Sequence, residues 1–89
     1  MAVALPAEVL QDDIAVSLAR ATAVANKRAG ELGIDVLQSI ITITQHSVTG
    51  DVFWRINYGP KDYVGRRGGD LIIEVNQKTA GIHQVLRGQ

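Results

Sequence analysis

The chain has no cysteine, which excludes disulfides, thiolate metal sites and thiol redox chemistry and leaves its 89 residues to be held by a hydrophobic core alone. That usage fits a reducing compartment, so a cytoplasmic location is the expectation. It also has no net charge, because nine Lys/Arg balance nine Asp/Glu. No global field therefore draws it onto a polyanion, and nucleic acid is not an expected partner. No apolar run approaches the roughly 20 residues that a membrane-spanning helix needs, and the opening Met-Ala-Val-Ala-Leu-Pro has no basic n-region. Neither a membrane nor export is expected. A chain of this length supports one core, so a single domain over residues 1–89 is expected.

What is present is an ordinary globular balance of 46% hydrophobic and 20% charged residues with two clear periodicities. From Pro6 to about Leu32, the side chains of Leu10, Ile14, Leu18, Ala21, Ala25, Ala29 and Leu32 recur at 3.6-residue spacing, which predicts one long amphipathic helix. Pro6 suits its first turn, and Asp12 and Asp13 lie toward the positive end of its dipole. Gly33 followed by Ile34 is the predicted stop, with Gly30 an earlier alternative. After the helix the period falls to two. Strands are predicted over 36–46, 52–58, 71–75 and 82–87, with turn formers at 47–51 and 76–81 marking two antiparallel hairpins. A longer loop, 59–70, joins the hairpins.

Helix and strand lengths match. About 27 helical residues span roughly 40 Å and an eleven-residue strand roughly 36 Å. The expected fold is therefore α+β, one long N-terminal helix packed on a curved four-stranded antiparallel sheet. A single helix covers one sheet face only. Alternation places Ile40, Thr42, Phe53, Arg55, Ile72, Glu74 and Val85 on the other, a face apolar enough to mark an interface. The simplest occupant is a second copy of the chain, a homodimer.

Residues able to carry chemistry are few. The two histidines, His46 and His83, have no third ligand at metal-binding spacing, and no metal or other cofactor is expected. His46 and Ser47 are neighbours in a hairpin, which says nothing about a catalytic base oriented in space. Asp12 and Asp13 point about 100° apart on a helix and cannot face one another as an acid/base pair. Trp54 falls in the strand alternation and is expected in the core. The segment Gly65-Arg66-Arg67-Gly68-Gly69 is the one stretch with anion-binding chemistry, but it leads into a strand and lacks the Lys-Ser/Thr of a phosphate loop. Together with Tyr58, Tyr63 and Lys61, the arginines offer a stacking surface for single-stranded nucleic acid that the neutral charge disfavours.

The run VFWRINY at 52–58, followed by GGDLIIEVNQKTAGIHQVLRGQ at 68–89, resembles the C-terminal pattern of small immunity proteins with a nuclear-transport-factor-like fold and, more loosely, PepSY-type domains. Those families follow a Trp-bearing strand with a strand ending in an acidic/Asn-x-Lys-Thr-Gly turn. Here an Ala80 stands between Thr79 and Gly81. The resemblance spans Val52 to Gln89 and implies a non-enzymatic domain that binds and inhibits another protein. The helix-then-hairpin order is also similar to the cystatins, whose Gln-x-Val-x-Gly hairpin is answered here by His46-Ser47-Val48-Thr49-Gly50, without their Pro-Trp second hairpin.

The leading expectation is accordingly a non-enzymatic protein-binding module, of inhibitor or immunity type, that self-associates through its open sheet face. Ile40, Phe53, Arg55, Ile72, Arg66 and Arg67 are its expected contact residues. The alternatives are a small-molecule-binding or catalytic partial cone of nuclear-transport-factor type and a cystatin-like protease inhibitor.

Overall fold

The computed structural model describes residues 7–60 and 70–87. Two helices, α1 (Ala7–Leu10) and α2 (Asp13–Glu31), precede a 3₁₀ turn at Val36–Gln38 and four strands, β1 (Ser39–Val48), β2 (Asp51–Pro60), β3 (Leu71–Asn76) and β4 (Ile82–Arg87). The strands form one antiparallel sheet in the order β1-β2-β3-β4, with α2 packed chiefly over β3 and β2. The α+β arrangement expected from the periodicities is the one observed.

The long helix is not continuous. Asp12 leaves the helical conformation (φ −86°, ψ 108°), and its Oδ1 accepts the Ala15 N–H at 3.0 Å. It is thus the N-cap of α2, satisfying a donor that the first turn leaves free. At the other end the stop is where Gly33 predicted it. Gly33 takes φ 88°, its N–H donates to Gly30 O at 3.1 Å, and the Ile34 N–H donates to Ala29 O at 2.9 Å. This double bond pattern needs a left-handed residue at that position.

Both hairpin turns follow from local chemistry. Thr49 (φ 46°) and Gly50 (φ 88°) form a two-residue turn of the type whose twist matches that of paired strands. In the β3–β4 turn, Asn76 Oδ1 accepts the N–H groups of Lys78 (2.8 Å) and Thr79 (3.0 Å), and Ala80 at φ 58° completes the reversal.

Cross-strand register sorts the side chains into rows. On the helix side these are Ile41–Tyr58–Leu71–Arg87, Ile43–Ile56–Ile73–Val85 and Gln45–Trp54–Val75–Ile82. The two central strands supply the buried members, which close against Ala21, Ala25 and Ala29. Alanine at these three positions puts only methyl groups between helix and sheet, which lets the two approach closely. Trp54 is in this core, as expected, and its Nε1 donates to Ser17 Oγ at 2.9 Å, which donates in turn to Gln77 O. Tyr58 donates to Asn26 Oδ1 at 2.6 Å.

Three sequence expectations need correcting. Leu10 and Ile14 belong to the predicted core stripe but are exposed, because helical residues before Ser17 are level with the hairpin turns and have no sheet beneath them. Tyr58 is a core residue and offers no stacking surface to a nucleic acid. Val85 belongs to the helix side and not to the uncovered face. A ladder continued unbroken from the Val75–Ile82 pair would set Val85 opposite Ile72. The register shift at Glu74/Val75 sets it opposite Ile73 instead.

Candidate functional site

The sheet face away from α2 carries the rows Thr42–Asn57–Ile72–Leu86 and Thr44–Arg55–Glu74–Gln84, with His46 beside Phe53 at the hairpin end and Ile40 beside Gly59 at the other. Ile40, Phe53, Arg55 and Ile72, the predicted contact residues within the described part of the chain, thus share one face. Arg66 and Arg67, with Lys61 and Tyr63, lie outside the described residues.

Those four residues do not present themselves equally. Ile40 is 45% exposed, and Ile72 and Arg55 are half-buried. Phe53, expected on the surface, is only 6% exposed although no described helix lies over it. Its ring stacks on that of His83, with centroids 4.4 Å apart. The β4 register shift supplies this cover by turning His83 as well as Gln84 toward the uncovered face. Phe53 therefore acts as a packing residue, and Leu86, which the sequence reading passed over, takes a place among the exposed apolar side chains. Only the pairing of Leu86 with Ile72 reveals it, and that pairing depends on the register shift.

A polar network crosses the middle of the face. Glu74 is buried, its Oε1 accepts the Gln84 Nε2–H at 2.7 Å, and its Oε2 lies 3.8 Å from Arg55 Nε. Asn57 Oδ1 is buried without a hydrogen-bond partner among the described residues. It stands in a shallow depression of about 350 Å³ with Thr42, Thr44, Arg55 and Ile72. A buried acceptor left without a donor is costly, so this atom is a natural point for an incoming N–H or O–H group.

A second concavity lies at the hairpin end. A cleft of about 390 Å³ separates the start of α2 from the two hairpin turns, with Asp13, Ser17, Arg20, Asp51, Gln77 and Lys78 around it. His46 and His83 stand on the two edge strands, and among the described residues no three His, Cys, Asp or Glu side chains are grouped to hold a metal ion. No described helix is long and apolar enough to cross a membrane.

Compared with protein-family models, curated proteins and solved structures, the chain matches none of them.

Proposed function

We propose that the protein is a small non-enzymatic module that binds another protein through the uncovered face of its sheet. The observation that carries this reading is the row Thr42–Asn57–Ile72–Leu86, which joins apolar side chains on β3 and β4 to an unsatisfied acceptor on β2. With Ile40 beyond it and the Arg55–Glu74–Gln84 network beside it, the face combines an apolar part with oriented polar groups, as protein interfaces do. The resemblance to immunity-type domains points the same way and makes inhibition of the bound protein the expected consequence.

The test is retention of proteins on immobilised wild-type chain and on two variants that keep the fold. Ile72→Glu is expected to lose the proteins that wild type retains, whereas Lys27→Glu on the exposed surface of α2 is expected to keep them. A folded Ile72→Glu variant with an unchanged retained set would sink the reading.

The hairpin-end cleft favours a second reading, a small-molecule site of the partial-cone type, since a concavity of this size with polar groups around it suits a small ligand. A ligand panel that leaves the melting temperature unmoved removes it.

A further inference from the structure

The two edges of the sheet are protected unequally. β4 is six residues long, its pairing is broken by the register shift at Glu74/Val75, and it carries Arg87, whose Nη2 donates to Leu32 O at 3.0 Å. Short length, a bulge and a charge are the usual devices that keep a sheet edge from pairing with another chain. β1 has none of them. Its ten residues, Ser-Ile-Ile-Thr-Ile-Thr-Gln-His-Ser-Val, include no Asp, Glu, Lys, Arg or Pro and run without a register shift.

The turn settles which backbone groups of β1 face outward. Val48 and Asp51 flank a two-residue turn and form a hydrogen-bonded pair, so the antiparallel alternation turns the N–H and C=O groups of Ile40, Thr42, Thr44 and His46 toward β2. Those of Ile41, Ile43, Gln45 and Ser47 turn away from the sheet. α2 lies chiefly over β2 and β3, and Ile41 beneath its flank is 38% exposed. Among the described residues no other strand pairs with this edge.

From this we infer that β1 pairs with β1 of a second copy, antiparallel about a twofold axis normal to the sheet, making one continuous eight-stranded sheet. This rests on the reading of the chain as a protein-binding module and names one partner and the element it meets. Outward-facing residues must oppose one another, a condition met by a seam centred on Ile43, with Ile41 opposite Gln45, Thr42 opposite Thr44 and Ser39 opposite Ser47. No like charges meet anywhere along it, and β-branched residues face across it, a favourable cross-strand combination. Leu37, 83% exposed just before β1, is carried toward Val48 of the other copy. A seam about 30 Å long on a sheet about 10 Å thick is small beside a standard interface, so reversible association in the micromolar range is expected.

Sedimentation over a concentration series tests the pairing. Wild type is expected to rise from 9.6 kDa toward twice that mass and stop there. Gln45→Pro removes an outward N–H without touching the β1–β2 ladder, and Thr42→Lys with Thr44→Lys sets like charges opposite across the seam. Both are expected to remain monomeric at every concentration where wild type is dimeric, with an unchanged circular dichroism spectrum. Leu86→Lys and Ile72→Glu, on the uncovered face, are expected to dimerise as wild type does. A monomeric wild type overturns the inference, as does growth beyond a dimer. A dimer abolished by Ile72→Glu and untouched by the β1 variants also overturns it, in favour of face-to-face packing. The two proposals fail separately, because a monomeric wild type leaves the retention test of the uncovered face intact.

Discussion

On the helix side of the sheet, Ile56, Ile73 and Val75 are shut off from water by a second layer, the alanine surface of α2. On the other side Phe53 and Glu74 are nearly as inaccessible with no second layer above them among the described residues. Their cover comes from within the sheet, as His83 stacks on Phe53 while Gln84 and Arg55 flank the Glu74 carboxylate. Burial by a layer and burial by lateral neighbours produce similar exposures, but they differ in what a truncation leaves behind. Beneath a helix a lost side chain leaves an enclosed cavity, because the layers relax only partly. On an open face water fills the gap.

The difference is measurable by denaturant unfolding. Ile56→Ala is expected to show the largest effect, a loss of about 3 kcal/mol from transfer and cavity terms together. Phe53→Ala removes a larger side chain but is expected to cost less, about 2 kcal/mol, because only its stack on His83 and its sheet neighbours are lost. If Phe53→Ala costs more than Ile56→Ala, the uncovered face carries a core of its own and the comparison breaks.

Tyr58 sharpens the contrast by pH. Burial pushes its hydroxyl up from 10.0 to about 12, since the phenolate would be stranded beneath α2 beside Asn26. The folded state therefore holds the proton more tightly than the unfolded chain. Its contribution is complete below pH 10 and is lost as pH rises from about 10 toward about 12, a fall on the order of 2 kcal/mol. Tyr58→Phe is expected to flatten that alkaline fall while costing about 1 kcal/mol near neutrality through the lost hydrogen bond. An unchanged alkaline slope in Tyr58→Phe would place its cause elsewhere.

Much of the architecture is legible in the residues because it is made by local rules. Alternation marks β3 and β4 to within one residue, Gly33-Ile34 marks the end of α2, and Asn76 marks its turn. The break at Asp12 was not legible. An aspartate in the first turn and an aspartate capping the next helix have the same sequence signature, and only the backbone angle separates them. Of the candidate surface, membership of the face by Ile40, Phe53, Arg55 and Ile72 was legible from period two, while the degree to which each is presented was not. The uncharged composition of β1 is likewise plain in the sequence. Its position at an edge emerges only from the strand order.

The sequence by itself therefore determined the order of helix and strands, the turns that reverse them and the side of the sheet on which most residues fall, since each depends on neighbours a few positions away. Tertiary structure alone decided the face of Val85, the burial of Phe53 and the place of β1 at the edge of the described sheet. One extra residue opposite Glu74 and Val75 reverses a strand's register. A ring is buried or bare according to which distant side chain the sheet brings beside it, and a strand is an edge only when no other part of the chain pairs with it.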